Sequence, residues 1–162
     1  MSRLDSAIRR LTSQKIALEW AARKIARLDG IILELGLGNG RTYDHLRSIL
    51  PNRDIYVFER EIAAHPDCIP EKNFQFLGDF RDSLPEANKR LGANSVLAHL
   101  DIGTGEKKAS QQLADQIGPL VLGLMKRESI IVSDQELTAW SHMRIEPPSN
   151  IPKGRIFIYN LV

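Results

Sequence analysis

Five carboxylates stand at or near the ends of five successive apolar runs of the sequence: Glu34, Glu59, Asp79, Asp101 and Asp134. Three glycines, Gly36, Gly38 and Gly40, follow the first of these runs at alternate positions. A carboxylate accepts hydrogen bonds at both oxygens, for example from the hydroxyl or amino groups of a ligand. Glycine tolerates a positive φ and lets a ligand approach the backbone where a Cβ would collide. Together these residues indicate a polar crevice for a nucleotide-like ligand.

The elements that must position these side chains follow from the pattern of apolar residues. Ile31, Ile32 and Leu33 form a continuous apolar run, which is typical of a parallel strand that is covered on both faces. Residues 41–50 have apolar positions at helical spacing, and Pro51 ends this predicted helix. A strand, a glycine turn and a helix N-terminus in this order form a site for a nucleotide-like ligand.

The rest of the chain alternates predicted strands and helices, which is typical of a parallel sheet with helices on both faces. Strands are predicted at residues 54–59, 74–77, 95–101 and 129–134, and helices at 83–91 and 106–125. Ser83 and Glu86 have capping-box spacing at the start of one helix, and Gly118-Pro119 is expected to bend or divide the other. Segments around 143–145 and 155–159 suit an antiparallel closing hairpin. Ligands bind beyond the carboxyl ends of the strands in such sheets.

The chain is expected to form one domain over residues 1–162, with an N-terminal helical segment at 1–29 and a doubly wound α/β core at 30–162. Apolar residues at 3.6-residue spacing predict one or two amphipathic helices over residues 3–28, with Thr12-Ser13 as a break or cap between them. These N-terminal helices are expected to supply most of a lid over the ligand crevice.

The composition favours a cytoplasmic protein. No apolar stretch approaches the roughly 20 residues that span a bilayer, and the N-terminus does not resemble a secretion signal. The lone Cys68 excludes an internal disulfide and a multi-thiolate metal site. A net charge of +2 gives little support for a nucleic-acid partner, although residues 1–30 hold seven basic groups against three acidic ones. The apolar helical N-terminus and the small size are compatible with a homodimer.

The pattern Glu34-x-Gly36-x-Gly38-x-Gly40 resembles the first motif of class I S-adenosylmethionine (SAM) dependent methyltransferases, and it departs from the spacing of the dinucleotide fingerprint. Glu59 after the next strand and Gly78-Asp79 after the third extend this resemblance, which covers residues 31–134. The chain is also similar to a small bacterial family described simply as SAM methyltransferases. The resemblance implies a Rossmann-like fold with SAM as the cofactor.

The resemblance also implies a role for each residue that matches the motifs. The loop of Gly36, Gly38, Asn39 and Gly40 would approach the methionine and ribose parts of SAM, and Glu34 would lie beneath it, holding the loop or the cofactor's ammonium. Glu59 would accept hydrogen bonds from both ribose hydroxyls. Gly78 and Asp79 would contact the adenine amino group, with Phe80 beside the ring. Asp101 would face the methionine end or the acceptor, and it is the candidate catalytic residue.

A metal site is an alternative interpretation of two of the acidic strand ends. Asp101 follows the fourth predicted strand, and Asp134-Gln135 follows the fifth. This resembles metal-dependent catechol-type O-methyltransferases, in which Asp and Asp-Asn stand at these places. Oxygen ligands of this kind suit Mg²⁺, which would lower the pKa of an acceptor hydroxyl. Gln135 departs from that pattern, because its longer side chain would move the ligand oxygen.

The sequence supports three classes of function. The leading one is a SAM-dependent methyltransferase that acts on a small molecule. The others are an RNA-modifying methyltransferase that uses the basic N-terminal face, and a non-catalytic SAM-binding module. The Asn-Pro-Pro-aromatic motif of some amino-methylating relatives is absent, since the fourth strand is followed by Asp101-Ile102-Gly103-Thr104. Methylation of adenine or of a glutamine amide by that arrangement is therefore disfavoured.

Overall fold

The computed structural model describes all residues from Met1 to Val162. Its four α-helices are α1 (Arg3–Lys24), α2 (Arg41–Ile49), α3 (Phe80–Leu91) and α4 (Lys107–Leu122). Its seven strands are β1 (Ile31–Leu35), β2 (Ile55–Glu59), β3 (Gln75–Leu77), β4 (Ser95–Leu100), β5 (Met125–Ser133), β6 (Arg144–Ile145) and β7 (Phe157–Asn160). Short 3₁₀ helices lie at Pro66–Cys68, Lys72–Phe74 and Thr138–Met143. No helix combines the length and the apolar character that crossing a membrane requires.

The strands form one sheet in the order β3-β2-β1-β4-β5-β7-β6. The first five strands pair in parallel, whereas β7 is antiparallel to both β5 and β6. The predicted α/β fold, with a mostly parallel sheet and an antiparallel C-terminal hairpin, is therefore confirmed. All residues of β1 and β4 are buried, which agrees with continuous apolar runs covered on both faces. The strand order reverses direction between β1 and β4, where open α/β sheets bind their ligands.

Helices cover both faces of the sheet. Buried residues of α3 and α4, including Leu84 and Ile117, pack on one face, and those of α1 and α2, including Leu18 and Leu46, pack on the other. The N-terminal segment forms one helix rather than two, and the predicted break or cap at Thr12-Ser13 does not occur, because α1 continues through both residues. The side chains of its second half belong to the core, as expected of an amphipathic helix. The lid over the ligand crevice stays a prediction.

One predicted helix start is wrong, and one predicted division of a helix does not occur. The capping box at Ser83 is not formed, because α3 begins three residues earlier and Asp79 is its N-cap, accepting a hydrogen bond of 2.9 Å from the Arg81 N–H. A carboxylate directly after β3 is in place to cap the helix before the chain reaches Ser83. The second helix is not divided at Gly118-Pro119, since α4 continues to Leu122. Gly118 lies against the indole of Trp140, where a larger side chain would crowd the ring.

The end of β1 approaches the end of β4 so closely that only a glycine fits. A Cβ built on Gly36 would overlap the carbonyl oxygen of Asp101, and the φ of Gly36 is +89°. Hydrogen bonds hold this approach in place: the Asp101 N–H donates to the Leu35 carbonyl at 2.9 Å, and the Gly36 N–H donates to the Phe58 carbonyl at 2.9 Å. The sequence of the glycine turn therefore fixes where the backbone of Asp101 lies.

We expect Gly36→Ala to lower the free energy of unfolding by about 3 kcal/mol or more, because the new Cβ must push β1 and β4 apart and the backbone is left-handed. Gly38→Ala is the matched control. Its φ is +50°, but a Cβ there meets no heavy atom within 4 Å, so only conformational strain of about 1–2 kcal/mol is expected. Urea unfolding measures both variants, and equal losses would contradict the overlap at Gly36.

Candidate active site

A cavity of about 550 Å³ opens at the carboxyl ends of the parallel strands, and we call it the Glu59 cavity. Six of the residues that the sequence predicted for the cofactor line it: Gly36, Gly38, Glu59, Asp79, Phe80 and Asp101. The other lining residues are Arg10, Arg60, Ile102, Gly103, Thr104 and Leu113. The cavity thus lies at the switch point between β1 and β4, as the sheet topology requires.

The Glu59 carboxylate holds the glycine loop. Its Oε2 accepts hydrogen bonds from the N–H groups of Leu37 at 2.8 Å and Gly38 at 3.1 Å, and its Oε1 accepts one from the Arg60 N–H at 2.8 Å. Each carboxylate oxygen accepts about two hydrogen bonds. Oε1 therefore keeps capacity for a ligand hydroxyl while Oε2 is occupied by the loop.

Asp79 also lines the Glu59 cavity, and its carboxylate forms ion pairs with two arginines. Beside the capping bond to the Arg81 N–H, Oδ2 accepts from Nη1 of Arg81 at 2.8 Å and from Nη2 of Arg60 at 3.4 Å. The hydrogen bond from the Arg81 N–H and the two guanidinium charges hold the pKa of Asp79 below its usual value. Asp79 is therefore a charged acceptor at neutral pH.

Glu34 lies beneath the glycine loop and does not line the cavity, so of its two predicted roles the geometry favours holding the loop over contacting the cofactor's ammonium. The side chain is fully buried. Its Oε1 accepts from the hydroxyl of Thr42 in the first turn of α2, and its Oε2 lies 2.7 Å from Nδ1 of the buried His99. Burial lowers the pKa of His99, but the charge and hydrogen bond of Glu34, together with the charges of Asp101 and Asp134, raise it by more, so the net pKa is raised. Glu34 thus holds the loop from beneath, through α2.

Three other predicted residues of the loops do not line the Glu59 cavity. Asn39 lines a smaller neighbouring space of about 170 Å³, here called the Asn39 cavity. Gly40 is buried beneath the loop, and a Cβ there would overlap the side chain of Cys68, so its role is packing. Gly78 has a φ of +118° and provides the turn from β3 into Asp79.

Asp101 stands where three cavities meet. It lines the Glu59 cavity, the Asn39 cavity and a third cavity of about 640 Å³, which we call the Arg155 cavity. Its Oδ2 lies 3.9 Å from Nη1 of Arg10 on α1, and 27% of its side chain is exposed. Arg10 lines the same three cavities. A carboxylate in this place can act on molecules bound on either side of it.

The three residues of the metal alternative, Asp101, Asp134 and Gln135, all line the Arg155 cavity. Both oxygens of Asp134 already accept hydrogen bonds from the backbone, from Ile102 N–H at 3.1 Å and Gly103 N–H at 2.8 Å. Burial raises the pKa of Asp134, and these hydrogen bonds only partly oppose it. No three His, Cys, Asp or Glu side chains come together in a way that could hold a metal ion. The metal site stays an alternative prediction.

The largest cavity lies at the other edge of the sheet, away from these residues. It has a volume of about 880 Å³, and we call it the Asn52 cavity. Its walls come from the end of α1, the start of β1 and residues 49–54. The amino ends of parallel strands are not where such sheets bind their ligands, and none of the predicted site residues lines it.

A family model described as S-adenosyl-L-methionine methyltransferase matches residues 1–161. The chain belongs to this family. A crystal structure of an S-adenosyl-L-methionine methyl transferase from Silicibacter pomeroyi DSS-3 is 40% identical, with a TM-score of 0.94 over 100% of this chain and 99% of that chain. No curated protein matches the chain. The protein is a SAM-dependent methyltransferase, as the glycine motif and the strand-end carboxylates predicted.

More distant structures share the fold of this methyltransferase. A probable spermidine synthase from Corynebacterium glutamicum is 16% identical, with a TM-score of 0.56 over 92% of this chain and 63% of that chain. The MycE methyltransferase from the mycinamycin biosynthetic pathway, solved with Mg and S-adenosylhomocysteine (SAH), is 14% identical, with a TM-score of 0.52 over 99% of this chain and 49% of that chain. At these identities the likeness extends to the fold alone.

The residues around the Glu59 cavity of the methyltransferase fit its cofactor. The backbone at Gly38 borders open space, since a Cβ there meets nothing within 4 Å. Glu59 has a free acceptor position for a hydroxyl, Asp79 is a charged acceptor for an amino group, and Phe80 offers an aromatic face. This set of an acceptor for a sugar, an acceptor for a base and an aromatic ring matches the parts of an adenosine.

The sequence did not predict a role in the site for Arg10, Gln14, Thr42 or His99. Arg10 was counted among the basic residues of the N-terminus, and its place beside Asp101 depends on how α1 crosses the sheet. The spacing of Arg10 and Gln14 by four residues is a signal that both face the same side of α1. Nothing in the sequence pattern pairs His99 with Glu34, because that pairing follows from the register between β1 and β4.

We expect Glu34→Leu to lower the free energy of unfolding by about 3–5 kcal/mol, because it leaves His99 buried beside an apolar side chain. Glu34→Leu with His99→Leu should recover much of this loss, since well-packed apolar residues can replace a buried ion pair. A double-mutant cycle by urea unfolding measures the coupling between Glu34 and His99. A Glu34→Leu variant as stable as wild type would contradict a stabilising interaction between the two residues.

The interaction between Glu34 and His99 should also affect how the free energy of unfolding depends on pH. Because the pKa of His99 is raised in the folded protein, protonated His99 stabilises the fold. This contribution to stability is complete below the unfolded-state pKa of about 6.5 and is lost as the pH rises through the folded-state pKa. The stability advantage of wild type over the double variant should therefore decline as the pH rises above 6.5. A constant or increasing difference would show that His99 does not gain a proton on folding.

Proposed function

We propose that this methyltransferase transfers the methyl group of SAM to a small polar molecule bound in the Arg155 cavity. The observation that supports this is the position of Asp101, which lines both the Glu59 cavity and the Arg155 cavity. A methyl acceptor must lie in line with the methyl carbon and its leaving group, so its cavity must adjoin that of the cofactor.

Different residues of the chain would bind different parts of the cofactor. Glu59 would accept a hydrogen bond from a ribose hydroxyl at the free position of Oε1, Asp79 would accept from the adenine amino group, and Phe80 would lie beside the ring. The backbone of Gly36 and Gly38 would border the part of the cofactor nearest to Asp101. SAM supplies, when bound, a methyl group that is already activated on a sulfonium.

Asp101 would act on the acceptor. Its carboxylate would accept a hydrogen bond from the acceptor's nucleophilic group, orient that group, and take its proton where the acceptor must lose one. Arg10, 3.9 Å away, would help to hold the carboxylate in place. Ile102 and Gly103, held by Asp134, would fix the backbone beside it.

A small acceptor fits these surroundings better than RNA does. Three of the basic side chains of α1 already have partners in the chain: Arg10 lies near Asp101, Lys15 is bonded to Glu19 at 2.6 Å, and Lys24 lies over the ring of Trp20. The basic face is therefore not free for a phosphate backbone along its length. A cavity of about 640 Å³ has the volume of a small-molecule site.

We expect Glu59→Gln to weaken SAH binding about tenfold or more, because a hydrogen bond from a hydroxyl to a carboxylate contributes about 1.5–3 kcal/mol. Calorimetry measures the affinity. Glu71→Gln removes the same charge from an exposed side chain and is the control. Absence of SAH binding by the folded wild-type protein would contradict the proposal, and so would an undiminished affinity in Glu59→Gln.

We expect Asp101→Asn to lower methyl transfer about 100-fold or more while it changes SAH affinity less than about threefold, since the loss of a positioned general base costs that much in rate. The rate is measured with the acceptor that a methyl-transfer screen of small polar molecules identifies. A large loss of SAH affinity would instead assign Asp101 to cofactor binding.

A further inference from the structure

The Arg155 cavity has a lining that suits a polar and charged molecule rather than an aromatic ring. Pro152 and Ile156 are the only apolar side chains around its volume of about 640 Å³. The remaining walls come from α1, the loop after β4, the start of α4, the loop after β5 and the loop before β7. An acceptor with a large apolar surface would gain little by entering it.

The carboxylates of this cavity are already engaged. Glu106 caps α4, and its two oxygens accept from the N–H groups of Lys108 at 3.0 Å and Ala109 at 2.6 Å. Both oxygens of Asp134 accept from the loop after β4, and Asp101 faces Arg10. The carboxylates therefore have donors within the protein, and their three negative charges share the cavity with four positive ones, those of Arg10, Lys107, Lys153 and Arg155.

The cations of the same cavity are not engaged in this way. Lys107, Lys153 and Arg155 line it, and none of the three side chains makes a salt bridge or a hydrogen bond within the chain. Lys107 is the first residue of α4, and since Glu106 already caps the N–H groups there, it is the Lys107 ammonium group that would attract an anion. Free cations beside engaged anions leave the cavity with a positive potential.

Gln14 provides an independent observation. Its side chain is 1% exposed and lines both the Arg155 cavity and the adjoining Asn39 cavity, yet neither its amide oxygen nor its amide nitrogen has a hydrogen-bond partner. A buried amide without a partner costs about 1–3 kcal/mol, and native proteins rarely leave one unsatisfied. A ligand that accepts a hydrogen bond would satisfy the amide nitrogen.

We propose, on the basis of the proposed function, that the acceptor carries an anionic group, a carboxylate or a phosphate. Lys107, Lys153 and Arg155 bind this group in the Arg155 cavity, and the Gln14 amide donates a hydrogen bond to the same molecule. The anionic group anchors the acceptor and leaves its nucleophilic atom beside Asp101. The specificity of the enzyme then depends on charge rather than on apolar shape.

The test is calorimetric binding of small probes to the full chain saturated with SAH, so that the cofactor's own carboxylate is already in place. Malonate and inorganic phosphate are the anionic probes, and malonamide is the neutral match of malonate. We expect at least one anion to bind tenfold or more tightly than malonamide, and the stronger of the two identifies the group as a carboxylate or a phosphate. Equal binding of malonate, phosphate and malonamide, or no binding of any, overturns the inference.

Variants show which residues bind the anion. Arg155→Gln and Lys153→Gln should each lower the affinity for the anion at least fivefold. Lys72→Gln, which removes an exposed charge elsewhere, should change this affinity less than twofold. Arg155→Lys keeps the charge and should restore part of the affinity. Gln14→Leu should lower the affinity for the anion without lowering the melting temperature, because it removes an unsatisfied amide. An unchanged affinity in Arg155→Gln, Lys153→Gln and Gln14→Leu overturns the inference.

The same titrations separate this inference from the proposed function. If SAH does not bind the folded wild-type protein, the proposed function fails. If SAH binds and the anions compete with it rather than bind beside it, the cations serve the cofactor and the inference alone fails. Anion binding that persists with SAH at saturation supports both.

Discussion

The contact between Gly36 and the carbonyl of Asp101 is the constraint on which the rest of the site depends. Because Gly36 has no side chain, the end of β4 can lie against the first residue after β1. That approach places the Asp101 carboxylate at the point where the Glu59, Asn39 and Arg155 cavities meet. The same backbone that borders the cofactor thus positions the group that we propose acts on the acceptor.

Buried and half-buried carboxylates stabilise this arrangement in different ways. Glu34 and Asp134 are held inside the protein, one by His99 and Thr42 and the other by backbone N–H groups. Glu59 holds the glycine loop with one oxygen and keeps capacity at the other. Since hydrogen bonds to a charged acceptor are the stronger ones, the loops around the cavities are fixed by charge. A preorganised site of this kind loses little entropy when it orients two reactants.

The sequence predicted the sheet, and it predicted six residues that the structure brings together around the Glu59 cavity, because both depend on local patterns. Continuous apolar runs predict buried parallel strands, and the carboxyl ends of such strands share one edge. The pairing of Glu34 with His99 was not predicted, because a fully buried strand has no alternation that tells which face a side chain takes. Arg10, Gln14, Lys153 and Arg155 were missed because α1 and the loop before β7 reach the site only through tertiary packing. A capping pattern likewise misplaced the start of α3, since Asp79 caps the helix first.

A crystal structure of the protein with SAH would show directly which cavity takes which molecule. We expect the adenine to lie beside Asp79 and Phe80, the ribose at Glu59 and the sulfur towards Asp101, with the Arg155 cavity open beyond it. SAH bound in the larger Asn52 cavity, or bound with its sulfur turned away from Asp101, would contradict the proposed roles of Glu59 and Asp101.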